Sequence, residues 1–348
     1  MALLSRVVSI RGAANLVTAL NVAVAVGAAA VVLHRTRRLL PPVGWWIAAF
    51  ALLSFGPLMS SVWWKQFNVI ALVLALLGFD LVRQRRISAG AAAIGLSVAV
   101  KPIAILLPVA MLARRQTRRA GALAVAWIAG LNIAAQAMMA TRAHDLAPLD
   151  PLMAVDNFLN KGPPEWGPFL CEPTNFAPGS LLCRAVGGWE YWTLQRTAVL
   201  CAVVLLGVWV IEALRGRAAT SWEVFAFTCA LSAMLTPLAW NHYQILLAPL
   251  FFLLLFRFAR EGASIGAWSG LTLAFVLASL TWLPYGTMVG GIWELVSGTT
   301  ESARQVRVLS GIAQFSQYIL VATGVLWYAG RQPVGERVVG EIRKVRSA

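Results

Sequence analysis

The stretch Thr236-Pro237-Leu238-Ala239-Trp240-Asn241-His242-Tyr243-Gln244 is a polar interruption in an apolar part of the chain. Apolar sequence on both sides implies that lipid or packed protein surrounds it, where polar groups are costly unless they are used. Since proline disfavours helix at the residue before it, the stretch predicts a break between two short helices within residues 222–258. Its indole, amides, imidazole and phenol make it the first candidate for a binding site.

The composition of the whole chain indicates a protein that crosses the membrane many times. Of its 348 residues, 59% are hydrophobic and only 12% are charged, and the mean hydropathy is +0.73. A soluble domain of this length would carry about twice that charged fraction. We therefore predict an all-α, polytopic transmembrane helical bundle.

The formal net charge of +15 is distributed in short clusters between the apolar spans. Short loops rich in Lys and Arg mark the cytoplasmic side of a membrane protein. This placement orients the chain and argues against a nucleic-acid partner. The clusters are Arg35/Arg37/Arg38, Arg83/Arg85/Arg86, Arg114/Arg115/Arg118/Arg119, Arg215/Arg217, Arg257/Arg260 and the C-terminal series from Arg331 to Arg346.

Apolar segments long enough to cross the hydrocarbon core, which takes about 20 residues, give about ten membrane helices. They form a single membrane domain, residues 1–330, followed by a basic cytoplasmic tail, residues 331–348. The charge pattern places the N-terminus outside, with outer loops at 141–190 and 285–308.

Residues 87–113 repeat the pattern of the opening stretch. Arginines flank both ends, so both ends should be cytoplasmic, yet the segment is too long for one perpendicular span and too short for two. Lys101-Pro102 interrupts it near the middle. We expect two short helices in a hairpin with Lys101 at its outer tip, which is tolerated only where the broken backbone faces protein or water.

Three separated stretches are predicted to meet on the outer side. They are Trp63 to Asn68, Lys101-Pro102 and Trp240 to Gln244. Together they supply two ammonium groups, an imidazole, several amides and a rim of aromatic rings. This set suits a phosphate or pyrophosphate carried on a lipid, because the cations meet the anion, amides bind hydroxyls, and indoles stack on a sugar or lie at headgroup depth.

Each member of this set also has a structural explanation. The tryptophans are commonly interfacial anchors, Lys65 could extend to lipid headgroups, and Gln66 and Asn68 could cap or bridge helices. Lys101 is harder to explain in this way, because it lies at a helix break with no carboxylate nearby in sequence. His242 is similar, because a histidine at a helix break can serve at neutral pH in either protonation state.

No metal motif is visible, since the three histidines lie on different segments without cysteine partners. No carboxylate lies in the middle of a predicted span, whereas proton- or sodium-coupled transporters usually need one near the midplane.

Cys171 and Cys183 share an outer loop and could pair in an oxidising compartment, although their spacing does not fix the geometry. Cys201 and Cys229 fall within predicted spans, where packing is the simplest role.

Two motifs in order carry a resemblance to a known family. The first runs from Gln66-Phe67-Asn68 through Lys101-Pro102 to Arg114-Arg115. The second, Leu235 to His242, is similar to the element L-(S/T)-P-x-(S/A)-W-x-H of glycosyltransferase family 87. That family consists of polyprenol-phosphate-sugar-dependent enzymes of the type C glycosyltransferase fold, best known as mannosyl- and arabinofuranosyltransferases. The resemblance extends over about residues 1–330.

The resemblance implies sugar transfer, with mannose the first candidate, from a polyprenyl-phosphate donor to a glycolipid or polysaccharide acceptor. The reaction would take place at the outer face of the plasma membrane, without a cofactor or a nucleotide donor. Lys101 and His242 would meet the donor phosphate, while the other residues position the donor or their neighbours. The substrate-binding residues implied are Lys101, His242, Asn241, Asn68, Gln66 and Trp240.

The catalytic aspartate of that family has no counterpart in this sequence. The family places it in the first outer loop, after an N-terminal membrane helix, and residues 1–20 resemble the stretch just beyond that loop. We therefore expect either a truncated chain, which would be inactive as it stands, or one whose start lies further upstream, and the catalytic residue is unknown in both cases. Two alternatives are a transporter or flippase for a lipid-linked glycan, which would use the same cationic site, and a non-catalytic membrane scaffold.

Overall fold

Every regular element in the described part of the computed structural model is a helix, which confirms the predicted all-α bundle. The structure describes isolated positions between 180 and 217 and residues 10–37, 42–63, 66–140, 221–235, 241–280 and 312–330. Shorter apolar helices accompany three stretches that are long and apolar enough to cross a membrane, by length and composition: Asn15–His34, Val43–Trp63 and Tyr243–Glu261. The predicted loops 141–190 and 285–308 and the tail 331–348 lie largely or wholly outside the described residues.

The helices are numbered here in chain order. The first part of the chain forms α1 (Ile10–Thr36), α2 (Pro42–Leu53), α3 (Gly56–Trp63), α4 (Asn68–Arg83), α5 (Ile87–Val100), α6 (Leu106–Ala113) and α7 (Arg118–Ala140). The second part forms α8 (Trp222–Leu235), α9 (Ala248–Glu261), α10 (Ile265–Ser279) and α11 (Phe315–Ala329). Short 3-10 segments precede α6 and α9, at Pro102–Ala104 and Asn241–Leu247.

Ionic and cation–π contacts gather several helix ends at one end of the bundle, which we call the arginine end. The Arg83 guanidinium lies 4.7 Å from the centre of the Trp222 ring, so the end of α4 meets the start of α8. Arg257 of α9 donates to Glu223 at 2.6 Å, and Arg217 lies 3.8 Å from the same carboxylate. Further contacts of Arg217 add the ends of α6 and α11.

The structure confirms the helix break predicted at Lys101-Pro102. Helix α5 leaves the arginine end and stops at Val100, and Lys101 is extended, with φ −154° and ψ 117°. Pro102 then starts the 3-10 segment, and α6 returns to the arginine end. Proline disfavours a helical residue before it and has no N–H to donate, so the helix ends at this point. We call the opposite end of the bundle, where Lys101 lies, the lysine end.

Helices α4 and α5 approach closely because glycines face each other. A Cβ atom on Gly90 would lie 2.6 Å from the carbonyl oxygen of Gly78, and one on Gly78 would lie 2.8 Å from that of Gly90. Nearer the lysine end, the Ser97 hydroxyl donates to the Ala71 carbonyl at 2.6 Å. These two contacts fix α5 against α4 and so set where Lys101 emerges.

We expect Gly90→Ala to lower the free energy of unfolding by about 1–3 kcal/mol, the usual cost of overpacking a close contact. The new Cβ would meet backbone atoms of α4, which cannot swing aside as a side-chain tip can. Gly130→Ala is the matched control, because a Cβ there meets nothing within 4 Å and alanine is the better helix former. Unfolding of the purified variants in mixed micelles measures both; equal stabilities would contradict the close approach.

The apolar run of residues 43–60 predicts one membrane span, whereas the structure has a pair of helices there. Helix α2 ends at Leu53, and α3 begins at Gly56 and extends to Trp63, beyond the predicted end. A Cβ on Gly56 would lie 2.6 Å from the Cα of Ser279, whose hydroxyl accepts from the Gly56 N–H at 3.2 Å. The interruption accommodates α10, a neighbour that local sequence does not reveal.

Candidate functional site

Lys101 presents an ammonium group at the lysine end between two neutral partners. Its Nζ donates to Gln66 Oε1 at 3.1 Å and lies 5.0 Å from the centre of the Tyr243 ring, within the range of a cation–π interaction. The residue is half-buried. An ammonium group has three N–H donors, so these contacts leave it able to bind an anion.

The charge of Lys101 is not balanced by any carboxylate in the described residues. Asp80, Glu223 and Glu261 are the acidic residues in those ranges, and each pairs with an arginine at the arginine end. An ammonium group inside a membrane bundle is costly without a counter-charge. The site is therefore suited to an anionic ligand such as a phosphate group.

Gln66 is held in position through its own backbone. Its N–H donates to the Ser61 carbonyl at 3.0 Å, and its carbonyl accepts from Asn21 Nδ2 at 2.9 Å. Asn21 is fully buried on α1. Contacts from α1 and α3 thus orient Gln66 so that its amide oxygen faces Lys101.

Asn21 is a site residue that the sequence reasoning missed. Its signal was a lone amide within a long apolar span, and such a residue is as readily explained by helix packing. Asn68, which was predicted to bind substrate, is the first residue of α4 and is fully buried. This burial agrees with the helix-bridging alternative for Asn68.

The opening stretch of the sequence reaches the site through Tyr243. Its ring, on the 3-10 segment Asn241–Leu247, lies beside the Lys101 ammonium group; the break predicted before this segment falls on residues 236–240, outside the described residues. The structure therefore brings together one residue from each of the three predicted stretches: Gln66, Lys101 and Tyr243. Five predicted members of these stretches lie outside the described residues, wholly or in their side chains: Trp64, Lys65, Trp240, Asn241 and His242.

Gln244 connects the site to α11. Its side chain is 1% exposed, and its Nε2 donates to the Ser316 hydroxyl at 3.3 Å. This hydrogen bond anchors the 3-10 segment and so helps to hold the neighbouring Tyr243 ring over Lys101. Ser316 is 72 residues away in sequence, and no periodic pattern pointed to it.

Several other features of the described residues lie apart from this site. No group of histidine, cysteine, aspartate and glutamate in the described ranges could hold a metal ion. Cys183 is buried and disulfide-bonded, but its predicted partner, Cys171, lies outside the described residues, so their pairing stays a prediction. An apolar groove of about 500 Å³ runs along the surface of α10 and is lined by Ile265, Trp268, Ser269, Thr272, Leu273 and Val276.

Comparison with known proteins adds independent information on the first two thirds of the chain. The model of a family described as glycosyltransferase family 87 matches residues 1–239. No curated protein and no solved structure matches the chain. The matched range includes Gln66 and Lys101 and ends just before Tyr243.

Proposed function

The chain belongs to glycosyltransferase family 87, and from this premise we propose that its donor is a sugar linked to polyprenyl phosphate, with mannose the first candidate. The acceptor is a glycolipid or a polysaccharide. The observation that supports this donor is the ammonium group of Lys101, which is held by a neutral amide and an aromatic ring at a helix break. A donor whose phosphate is attached to a lipid would deliver its anion within the membrane bundle, where this ammonium group lies.

The proposed reaction exchanges one bond for another at the anomeric carbon. A general base takes the proton of an acceptor hydroxyl, whose oxygen then attacks the anomeric carbon with inversion. The bond from that carbon to the phosphate oxygen breaks, and polyprenyl phosphate leaves with increased negative charge. Lys101 stabilises that charge because it is already in place before the reaction begins.

Under this proposal some residues bind the donor and others orient Lys101. Lys101 binds the phosphate, joined by His242 from the neighbouring 3-10 segment, while Gln66 and the buried amides orient Lys101. Asn241 and Trp240 complete the set that contacts the donor. The described residues supply no carboxylate at the lysine end, so the general base is not assigned to any of them.

The same proposal fixes an orientation in the plasma membrane. Since basic short loops favour the cytoplasmic side, the arginine end and the C-terminal tail face the cytoplasm. The lysine end then faces the extracytoplasmic side, where the lipid-linked donor and the acceptor meet. No cofactor and no nucleotide sugar takes part.

A transfer assay tests the donor. Membranes containing the protein receive radiolabelled polyprenyl-phosphate mannose and a panel of glycolipid and polysaccharide acceptors, and a parallel sample receives a labelled nucleotide sugar. We expect label in an acceptor from the lipid donor only. Transfer from the nucleotide sugar alone would overturn the donor assignment, and movement of the lipid between leaflets without a new glycosidic bond would support the flippase alternative.

Tyr243 gives a graded test of how the ammonium group is held. We expect Tyr243→Leu to weaken transfer by a factor of about 2 to 30, the range that corresponds to a cation–π contact of about 0.5–2 kcal/mol. Tyr243→Phe keeps the ring and should retain most of the activity. The rate of transfer from the lipid donor measures both variants, and equal losses in the two would point to the hydroxyl rather than the ring face.

A further inference from the structure

The turn between α4 and α5 places an arginine in a conformation that normally belongs to glycine. Arg85 has φ +65°, and the turn carries the two hydrogen bonds of a Schellman motif, from Arg86 N–H to the Leu81 carbonyl and from Arg85 N–H to the Val82 carbonyl. Glycine is the usual residue at this position because it has no Cβ. An arginine in this strained backbone conformation suggests a use for its side chain.

The turn between α6 and α7 is held from both sides. The buried Thr117 hydroxyl donates to the Met111 carbonyl at 2.9 Å, and Arg118 Nε donates to the Leu112 carbonyl at 3.3 Å. Both bonds satisfy carbonyl groups at the end of α6. The turn therefore presents the exposed Arg115 and Arg119 from a fixed backbone.

These two turns lie side by side at the arginine end. Both α5 and α7 start there, and they pack so closely that a Cβ on Gly95 would lie 3.0 Å from the Ala124 carbonyl oxygen. Neither helix has an acidic residue in its first turn, and no side chain caps the start of α5. Parallel helix starts offer unbonded N–H groups and positive dipole ends to an anion.

Five exposed arginines surround these helix starts and form what we call the arginine platform: Arg85, Arg86, Arg115, Arg118 and Arg119. None of the five pairs with a carboxylate in the described residues. The acidic residues of those ranges are taken by other arginines, namely Arg83, Arg217 and Arg257. Within the part of the chain that the structure describes, the platform therefore keeps an uncompensated positive charge.

Apolar side chains extend from the platform along the same two helices. Leu96 on α5 and Val125 and Trp127 on α7 are large and exposed. In a membrane-embedded bundle such side chains contact acyl chains. A cationic surface with an exposed apolar surface beside it matches a molecule that has an anionic head and a hydrocarbon tail.

We infer that the arginine platform binds the phosphodiester headgroup of an anionic membrane phospholipid, whose acyl chain lies along α5 and α7. Guanidinium groups bind phosphate oxygens in pairs of parallel hydrogen bonds, and the helix starts add further donors. This site lies at the opposite end of the bundle from Lys101 and does not depend on the proposed donor. The anionic lipid would tether the two turns to the membrane surface.

Lipid binding to the purified protein tests the inference. Native mass spectrometry of the protein in detergent, titrated with phosphatidylglycerol or phosphatidylcholine, counts the lipids retained. We expect phosphatidylglycerol to bind in preference, and each arginine removed to weaken it about fivefold. The variants are Arg85→Gly and the double change Arg115→Gln with Arg119→Gln. Arg260→Gln is the matched control, an exposed arginine at the end of α9 that lies outside the platform.

Arg85→Gly separates binding from folding. Glycine relieves the left-handed backbone position, so this variant should melt at a higher temperature than the wild type while it binds phosphatidylglycerol more weakly. Equal retention of the two lipids by the wild type, or unchanged binding in the platform variants, would overturn the inference. Displacement of phosphatidylglycerol by millimolar inorganic phosphate would do so too, because a soluble anion would then be the better ligand.

Discussion

Lys101→Met is expected to reduce sugar transfer by about 100- to 1,000-fold, the usual cost of removing one donor that stabilises charge in a transition state. Methionine keeps a long, flexible side chain but cannot donate to Gln66 or to a phosphate group. The loss should appear in kcat more than in KM, because the charge on the leaving phosphate grows during the reaction. Initial rates with the lipid-linked donor provide this measurement.

Two further variants, Lys101→Arg and His242→Ala, show whether the ammonium group itself is responsible for the rate of sugar transfer. Lys101→Arg keeps the positive charge but changes its shape and its hydrogen-bond directions, so it should fall between methionine and the wild type. The variants should reach the membrane and melt like the wild type, because the residue is half-buried at a helix break rather than in the core. Near-normal transfer by both Lys101→Met and His242→Ala would remove the site assignment altogether.

Glu223→Ala is expected to lower the free energy of unfolding by roughly 3 kcal/mol, the lower part of the range for breaking a buried ion pair. The carboxylate side chain is 5% exposed, whereas Arg217 and Arg257 are 30% and 34% exposed. Water therefore screens the two guanidinium groups in part, and this limits the cost. Unfolding in mixed micelles gives the value.

Glu261→Ala is the matched control for Glu223. Its carboxylate also pairs with Arg257 at 2.6 Å, but it is 26% exposed and lies one turn away on the same helix. Pairs of this kind contribute about 0.3–0.5 kcal/mol. If both substitutions cost the same small amount, the buried contact between α8 and α9 would not be important for stability.

The sequence predicted the features whose causes are local. Pro102 follows Lys101 directly, so the position of the helix break can be read from two adjacent residues. The arginine clusters identified the helix ends that meet around Glu223. The break near Gly56 was missed because its cause is Ser279, and chain-distant packing leaves no periodic signal.

The candidate site shows the same limit. Lys101 and Gln66 were predicted from their chemistry, and the structure brings their side chains into contact. Asn21 and Ser316 act through hydrogen bonds to the Gln66 backbone and to the Gln244 side chain. Such bonds join residues far apart in the chain, and nothing near either residue distinguishes it from ordinary polar packing.

The glycine contact between α4 and α5 also determines where the Lys101 ammonium group lies along the helix axis. Gly90 and Ser97 are separated by about two turns of helix, so both occupy the side of α5 that faces α4, and Lys101 directly follows the end of that helix. Inserting one residue between Gly90 and Lys101 would rotate the lysine by about 100° and shift it by about 1.5 Å along the axis. The position of the Lys101 ammonium group thus depends on the length of α5 as well as on the residues that the ammonium group contacts.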